Sequence, residues 1–400
     1  MPTFAPLIVT GPARSGTTLV ALLLSVHREI MVASDPYLTF FRSLRAAIMR
    51  HQPAEIARAF DPASPLQDYY FTEARIAIMD AIQRGTLAVP FDPDEWETFF
   101  ERSVARGSVM APDLAAQFGR LRGGDYAEIF GHALEIVATV RGGADRRWVG
   151  FKDVWIIEFF SAIARTYPDA RMVVVLRDPR AIMASMLAID DPTQVAHPLS
   201  YARHWRKHVA FIEHYRHDPR LAGRLHVLSL EALLADPEAE TRALCAFLDV
   251  DFDPAMLDSR RYFDYATGAA WAGNSSFERK TEGFNRALIE KWRQRLPPPI
   301  RKLTDMVCGP EMSLAGFSPD EVGIGDPDVL DYLVDTHEAP VNWRTDLGDL
   351  QQDYGFELFR QALLARSRVS AAPAQSAIRR SFLFPEVYAR LRAASAVSCV

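Results

Sequence analysis

The chain has 400 residues, which is enough for one large α/β domain or two modest ones. Its 45 Lys and Arg and 51 Asp and Glu give a formal net charge of −6 and a pI near 6.0. This balance leaves no overall basic field, which argues against nucleic acid as the main partner. The three cysteines are scattered and odd in number, so they indicate neither a disulfide framework nor a metal site: Cys245, Cys308 and Cys399.

The first predicted element is an apolar strand that leads into a loop framed by Gly11 and Gly16, with an apolar helix directly after it. The two glycines have the spacing of a nucleotide-binding P-loop, in which backbone amides and a helix N-terminus bind phosphate. Thr17 occupies the position of the lysine that P-loop kinases use, and Arg14 is the fixed cation of the loop. The pattern favours a nucleotide whose reactive group is not a magnesium-bound γ-phosphate.

Residues 36–147 are predicted to form several helices, separated by prolines and by Gly123-Gly124. An insertion between the first two strand–helix units lies over the ligand-binding edge of a sheet, so we assign it to acceptor recognition. Its aromatic residues line an acceptor pocket or form the insertion's own core, and both interpretations are open. They are Phe40, Phe41, Tyr69, Tyr70, Phe71, Trp96, Phe99 and Phe100.

Two further strand–helix units follow. Residues 148–153 read as a strand ending in Lys152-Asp153, with a helix to about residue 165, and 171–176 as a strand buried on both faces. A helix then runs through Leu187, and Pro179 suits its first position. Arg177 and Ser185 could bind one phosphate through a guanidinium fork and a hydroxyl. The alternative is an Arg177–Asp178 ion pair with Ser185 facing solvent.

A helix at about 200–217, a strand at 225–230 and a helix at 237–248 complete the predicted core. Alternating strands and helices of this kind predict an α/β fold with a doubly wound parallel sheet, whose ligands bind at the carboxyl ends of the strands. His204 and His208 lie four residues apart and could chelate a metal. With Arg203, Arg206 and Lys207 beside them, we favour a solvated face.

The rest of the chain is predicted to hold a polar loop at 271–280, an amphipathic helix at about 286–295 and a mostly helical extension. We therefore predict one domain over 1–317 and a helical extension over 318–400, with a linker at 371–374. Acidic residues dominate 318–350 and arginines dominate 351–400, which indicates either docking of the tail on the body or solvated faces. The extension could pack on the domain, form a lid or make a subunit contact. The last of these roles would give a homo-oligomer.

The hexapeptide Arg14-Ser15-Gly16-Thr17-Thr18-Leu19 resembles the 5′-phosphosulfate loop of sulfotransferases that use 3′-phosphoadenosine 5′-phosphosulfate (PAPS). The resemblance is strongest to the Golgi and bacterial branches, which include the tyrosylprotein sulfotransferases. Arg177 and Ser185 are similar to the family's 3′-phosphate pair, and Lys152-Asp153 to its Lys-Asp strand end. The match covers roughly 7–35 and 148–317.

The resemblance implies an enzyme that moves a sulfonate group from PAPS to an acceptor hydroxyl, releases adenosine 3′,5′-bisphosphate (PAP) and needs no metal. Arg14 and Lys152 would stabilise charge on the transferring group and on the bridging oxygen of the leaving nucleotide. The alternative for Lys152 is an ordinary ion pair with Asp153. The implied PAPS-binding residues are Arg14, Ser15, Gly16, Thr17, Thr18, Arg177 and Ser185, with Ser275, Ser276 and Lys280 from the late polar loop.

The base is assigned by the same resemblance. Aligned from Arg14 without gaps, Asp35 falls where the tyrosylprotein branch carries its catalytic Glu, although Asp is one methylene shorter. Asp35 could instead cap the next helix, with Pro36 at its first position. His27 is a second candidate base, and its alternative is a C-terminal cap of the first helix.

The rival interpretations are a P-loop kinase of a small molecule, which would need ATP and magnesium, and a non-catalytic nucleotide-binding scaffold. The acceptor is open among carbohydrate, phenol, peptide tyrosine and lipid hydroxyls. The first strand begins at Leu7 and no apolar run approaches the length of a membrane span. We therefore expect a cytoplasmic protein, and the heavy use of Ala and Arg suggests a bacterial source.

Overall fold

The computed structural model describes residues 4–62, 72–142, 146–189, 197–273, 283–320, 326–336, 350–366 and 373–397. In these residues one sheet is built from five parallel strands: β1 Ala5–Thr10, β2 Ile30–Ser34, β3 Trp148–Lys152, β4 Arg171–Leu176 and β5 Leu225–Ser229. Their order across the sheet is β2-β3-β1-β4-β5. Two further strands, β6 Phe263–Asp264 and β7 Ala269–Ala270, form an antiparallel pair. The predicted α/β fold with a parallel sheet is confirmed.

The central strands are buried because they carry unbroken apolar runs. Leu7, Ile8 and Val9 of β1 have no exposed surface, and the same is true of β4 from Met172 to Val175. A strand covered by helices on both faces has no solvent side, so its sequence does not alternate. This is the feature from which both strands were predicted.

The first twelve helices, α1 to α12, are Thr17–Val26, Leu38–Arg50, Ala54–Ala59, Glu73–Arg84, Trp96–Met110, Pro112–Ala115, Tyr126–Val140, Phe160–Thr166, Pro179–Leu187, Pro198–His217, Leu230–Ala235 and Pro237–Leu248. The later helices, α13 to α18, are Trp292–Arg295, Pro298–Leu314, Pro327–Thr336, Leu350–Ala365, Gln375–Phe382 and Pro385–Val397. The amphipathic helix predicted at about 286–295 is wrong. A 3-10 turn at Arg286–Leu288 and the single turn of α13 occupy that stretch.

The chain divides into two compact units, and the first comprises residues 1–66, 77–176 and 218–286. It contains the whole parallel sheet and most of the predicted insertion. Phe40 and Phe41 of α2 are buried, and Phe41 packs against Phe151 of β3 with ring centroids 5.8 Å apart. Phe99 of α5 is buried as well. The core interpretation is confirmed for these aromatics, whereas residues 69–71 lie outside the described part of the chain.

The second unit comprises residues 67–76, 177–217 and 287–400 and is built from α9, α10 and α13 to α18. α10 is buried along most of its length, and its basic side chains are buried with it. Arg203 and Arg206 have no exposed surface and donate to Asp353 and Glu357 of α16. The solvated face predicted for α10 is therefore wrong. Two acidic residues of the tail, Asp353 and Glu357, are buried in these ion pairs, whereas Asp320, Asp328 and Asp331 are exposed.

His204 and His208 of α10 are 4% and 0% exposed. Across the described ranges, no group of three His, Cys, Asp or Glu side chains is placed to hold a metal ion. In the same residues no helix has the length and apolarity needed to cross a membrane. The predicted division at residue 317 stays a prediction.

Candidate active site

The loop between β1 and α1 is shaped by two glycines. Gly16 has a φ of 93°, a left-handed conformation that favours glycine, and a Cβ there would lie 2.7 Å from Cδ1 of Leu230. At Gly11 a Cβ would lie 2.2 Å from the carbonyl oxygen of Val175. The loop can pack against the sheet in this form only because both positions lack a side chain.

The same loop has the features of an anion site. The amino terminus of α1 receives no side-chain hydrogen bond from its cap residue Gly16, so its first amides are available to a ligand. Ser15 has no exposed surface, and its hydroxyl has no hydrogen-bond partner among the described residues. Arg14 precedes it with a φ of 66°. This left-handed backbone conformation is costly for residues other than glycine. Such strain is common in ligand-binding loops.

Asp35 and Lys152 meet at the carboxyl ends of two neighbouring strands. β2 pairs with β3 in the register Ser34↔Lys152, and the amide of Asp35 donates to the carbonyl of Lys152 at 2.7 Å. Asp35 also has a positive φ, 49°. The Lys152 ammonium donates to Oδ2 of Asp35, and the two residues are 5% and 8% exposed. The structure thus brings together two residues that lie 117 positions apart in the sequence.

Lys152 is also beside the β1 loop at the sheet edge. β3 pairs with β1 in the register Val9↔Lys152, so the lysine stands next to the strand that leads into the anion loop. Parallel strands place their carboxyl ends at the same edge, and α/β sheets bind ligands there. The loop of Arg14 to Thr18, Asp35 and Lys152 therefore belong to one edge of the first unit.

Several alternatives from the sequence are corrected by these contacts. Asp35 does not cap α2, because the cap residue is Tyr37 and the helix begins at Leu38. Lys152 forms its ion pair with Asp35 and not with Asp153. His27 is the C-cap residue of α1, as its alternative interpretation predicted.

Both ring nitrogens of His27 form hydrogen bonds. Nε2 contacts the carbonyl of Asp251 at 2.9 Å, and Nδ1 accepts from the amide of Glu29 at 3.1 Å. α1 spans about 15 Å between this end and the anion loop, at 1.5 Å per residue. His27 is therefore a structural residue at the far end of the helix, and it is not a base for this site.

Sequence reasoning missed two features. The strand β2 was not predicted, although Ile30-Met31-Val32-Ala33 is an apolar run of strand length. Asp153 was considered only as a partner of Lys152. In the structure it is 1% exposed, its Oδ1 accepts from the amide of Trp155 at 3.0 Å, and no donor among the described residues reaches its Oδ2. The tandem Lys-Asp at the end of a buried strand was the available signal.

The environment of Asp153 changes its ionisation. Burial, and after it the negative charge of Asp35, raises the pKa of Asp153 to about 7. The hydrogen bond from the Trp155 amide and then the charges of Lys152 and Arg106 act in the opposite direction. A carboxyl that titrates near neutrality lies next to the Asp35–Lys152 pair, which is a common property of residues at functional sites.

Arg177 and Ser185 lie in the second unit. Pro179 is the first residue of α9, as predicted, and Asp178 caps the helix by accepting from the amide of Arg180 at 2.8 Å. The Asp178 carboxylate also binds the Arg180 guanidinium at 2.7 Å. Ser185 is 3% exposed, which contradicts its solvent-facing alternative.

The backbone of Arg177 is held within the second unit. Nε1 of Trp205 on α10 donates to the Arg177 carbonyl at 2.9 Å. Arg180 further contacts Asp305 of α14 and lies over the ring of Trp292, with its Cζ 4.2 Å from the ring centroid. The bond from Trp205 and the contacts of Arg180 therefore hold the turn that carries Arg177 in place. Ser275, Ser276 and Lys280 lie outside the described residues, and their role stays a prediction.

Comparison with known proteins identifies relatives. The model of a family described as "Sulfotransferase family" matches residues 6–254, which is 249 of the 400 positions. The chain is 26% identical over 220 residues to protein-tyrosine sulfotransferase 1 of Danio rerio. That alignment covers 52% of this chain and 59% of the relative, so the chain spans less than two thirds of the relative's length.

The chain is also similar to two solved structures. The sulfotransferase domain of the Synechococcus PCC 7002 olefin synthase has a TM-score of 0.43 and 20% identity, and the match covers 74% of this chain and 90% of that one. The sulfotransferase domain of the curacin biosynthetic pathway has a TM-score of 0.45 and 16% identity, with coverage of 80% and 99%.

Proposed function

The chain belongs to the sulfotransferase family, and from that premise we propose that it transfers a sulfonate group from PAPS to an acceptor hydroxyl and releases PAP. The observation that carries the proposal is the meeting of Asp35 and Lys152 at the sheet edge that also holds the β1 loop. A base for the acceptor and a cation for the leaving group are the two functions that this reaction requires.

The residues of the loop fit the 5′ end of PAPS. The amides at the start of α1 and the buried Ser15 hydroxyl are donors for phosphate oxygens, and Arg14 supplies a positive charge. Thr17 and Thr18 add hydroxyls at the first turn of the helix. PAPS supplies the activated sulfonate, and the loop would hold its anhydride in place.

The proposed transfer is a single in-line displacement. Asp35 takes the proton from the acceptor hydroxyl, the acceptor oxygen forms a bond to sulfur, and the bond from sulfur to the bridging oxygen of the nucleotide breaks. The bridging oxygen gains negative charge, which Lys152 and Arg14 would stabilise. Arg177 and Ser185 are our candidates for the 3′-phosphate, a group that ATP lacks.

The charge of the insertion favours an acceptor that carries an anionic group. Arg42 and Arg45 lie three apart on α2, and Arg102 and Arg106 lie four apart on α5. Burial lowers the pKa of Arg42, and the charges of Arg45, Arg106 and Arg102 lower it further. The charge of Asp153 raises the pKa of Arg42 and so acts in the opposite direction. A carboxylate, phosphate or sulfate near the acceptor hydroxyl would relieve this repulsion.

The kinase alternative has less support, because Thr17 occupies the lysine position of the loop. The name of the Danio rerio relative makes a tyrosyl hydroxyl one acceptor to test. Cytoplasmic localisation, a bacterial source and a homo-oligomer stay predictions.

The test is transfer of labelled sulfonate from PAPS to a panel of neutral and anionic phenols, sugars and tyrosyl peptides. We expect product with the wild-type protein and a loss of at least about 100-fold in kcat for Asp35→Asn. Asp92→Asn is the matched control, since Asp92 is an exposed aspartate that accepts from the amide of Asp94. No transfer to any acceptor, with ATP-dependent phosphorylation instead, would overturn the proposal.

The acceptor class is tested with the same panel. If the arginines of α2 and α5 recognise an anionic group, Arg42→Ala and Arg106→Ala raise KM for the anionic acceptors and leave it unchanged for the neutral ones. Arg58→Ala on α3 is the control, since this exposed arginine bonds only the carbonyl of Ala54 among the described residues. Equal effects on both acceptor types would exclude an anionic subsite here.

A further inference from the structure

The tripeptide Asp-Pro-Arg occurs twice in the chain with the same local structure. It is Asp178-Pro179-Arg180 at the start of α9 and Asp218-Pro219-Arg220 at the start of a 3-10 turn. In both copies the aspartate caps the element by accepting from the arginine amide, at 2.8 Å and 3.0 Å. The same carboxylate also accepts from Nε and Nη2 of the arginine side chain. The tripeptide thus forms its cap and its ion pair from its own residues.

The two arginines differ in their surroundings. The Arg220 side chain is 64% exposed and, among the described residues, bonds only the aspartate of its own tripeptide. The Arg180 side chain is 4% exposed and makes three further contacts. Its Nη1 donates to Oδ1 of Asp305 at 3.3 Å, and its Nη2 donates to the carbonyl of Ser318 at 3.0 Å. Its Cζ lies 4.2 Å from the ring centroid of Trp292.

The further contacts of Arg180 are not needed to start α9. The exposed copy at Arg220 makes the same cap without them. A buried guanidinium is costly unless it is well paired, so the burial of Arg180 serves something other than the cap. What the contacts do is connect the turn to α13, which carries Trp292, and to α14, which carries Asp305.

The turn that is anchored in this way carries the candidate residues for the 3′-phosphate. Arg177 lies three positions before Arg180, and Ser185 lies five positions after it on α9. All of them belong to the same compact unit as the partners of Arg180. A binding group that is fixed before the ligand arrives loses less conformational freedom on binding than one that the ligand must order. The affinity for a 3′-phosphate therefore depends on how firmly this turn is held.

Arg180 is not placed to bind the phosphate itself. Each of its three side-chain nitrogens donates within the protein. Nε donates to Asp178, Nη1 to Asp305, and Nη2 to both Asp178 and the carbonyl of Ser318. A buried side chain that is paired in this way acts on a ligand through the residues that it holds.

We propose that Arg180 is a positioning residue for nucleotide recognition. It holds the turn after β4 so that Arg177 and Ser185 are presented together to a 3′-phosphate. Its contacts with Asp305 and Trp292 anchor that turn to the C-terminal helices. The inference rests on the proposed function of the site. It makes Arg180 a determinant of selectivity between a nucleotide with a 3′-phosphate and the same nucleotide without it.

The experiment compares the binding of PAP with that of adenosine 5′-monophosphate (AMP), which is PAP without its 3′-phosphate. The ratio of Kd for AMP to Kd for PAP measures what the 3′-phosphate contributes. Arg180→Lys keeps the charge and loses the fork on Asp178 and the planar contact with Trp292. We expect Kd for PAP to rise about tenfold, the size of one charge-assisted hydrogen bond, and Kd for AMP to stay unchanged. KM for PAPS rises by the same factor, and kcat at saturating PAPS stays unchanged.

Asp305→Asn is the second variant, and it acts on Arg180 from the other side. It keeps the shape of the partner, removes its charge and leaves the bonds to Asp178 intact. We expect Kd for PAP to rise about threefold with Kd for AMP unchanged, because only one of the contacts of Arg180 is weakened. Arg220→Lys is the matched control, since it makes the same change in the exposed copy of the tripeptide. Both Kd values should equal those of wild type there.

Other outcomes overturn the inference. Equal rises in the Kd values of PAP and AMP would make Arg180 a purely structural residue, and unchanged values in both variants would remove its role. If only Asp305→Asn folds, its ratio decides, and if neither variant folds, Arg180 serves the fold alone. The proposed function is judged separately. If wild type binds PAP no more tightly than AMP, or Arg177→Ala binds PAP as wild type does, the 3′-phosphate site itself is wrongly assigned.

Discussion

A buried ion network in the second unit gives the prediction with the clearest magnitude. The Glu357 carboxylate on α16 is 2% exposed and lies between two buried arginines of α10. Its Oε1 accepts from Nε of Arg203 and from Nη2 of Arg206, both at 3.0 Å, and its Oε2 accepts from Nη1 of Arg206 at 2.5 Å. The substitution Glu357→Gln keeps the shape of the side chain and removes its charge.

The size of the effect follows from the pKa of Glu357. Burial alone would raise it, but the charges of Arg206 and Arg203 outweigh burial and lower the pKa from 4.5 to about 2. At 1.36 kcal/mol per unit, this difference contributes roughly 3 kcal/mol to the free energy of unfolding. Because the folded-state pKa is the lower one, the contribution is fully present above pH 4.5 and is lost as the pH falls toward 2.

The assay is urea unfolding at pH 7, repeated at intervals down to pH 3. We expect Glu357→Gln to lower the free energy of unfolding by roughly 3 kcal/mol at pH 7 and to flatten its dependence on pH below 4.5. Glu386→Gln is the matched control, because that half-buried glutamate pairs with a single His214 and should cost less than about 1 kcal/mol. Equal losses in the two variants would refute the reasoning.

Three further predictions concern the first unit. Lys152→Met should lower kcat about 100-fold or more while the near-ultraviolet dichroism of the fold is retained, and unchanged kcat would remove the lysine from the transition state. Gly16→Val should abolish PAP binding in calorimetry, since the residue has a φ of 93° and a Cβ would meet Leu230 at 2.7 Å. Asp113→Asn should lower the free energy of unfolding measured in urea by about 1 to 3 kcal/mol, and with it the urea midpoint, because it weakens two 2.8 Å bonds to the buried Arg141. A midpoint equal to that of wild type would mean that water replaces those bonds.

Much of the fold was predictable from local sequence. The apolar runs of β1 and β4 and the Gly-framed loop before α1 are local signals, and each fell within a few residues of the observed element. β2 was missed because it is short and follows α1 after a turn of three residues, Glu29 among them.

The arrangement of charges was less predictable, because ion pairs form between distant segments. Basic residues of α10 were expected in solvent, and they are buried because acidic residues of α16, some 150 positions later, neutralise them. Likewise Lys152 was weighed against its neighbour Asp153, whereas the strand register presents it to Asp35. Sequence spacing identifies the charged residues, but only the topology identifies their partners.

The central claim is the identity of the nucleotide, and calorimetric titration tests it most directly. PAP and ATP with magnesium are titrated into the wild-type protein and into Arg177→Ala. Our account predicts tight binding of PAP, little binding of ATP and loss of PAP binding in the variant, because the arginine would contact the 3′-phosphate that ATP lacks. Preference for ATP with magnesium, or PAP binding that is indifferent to Arg177, would contradict it.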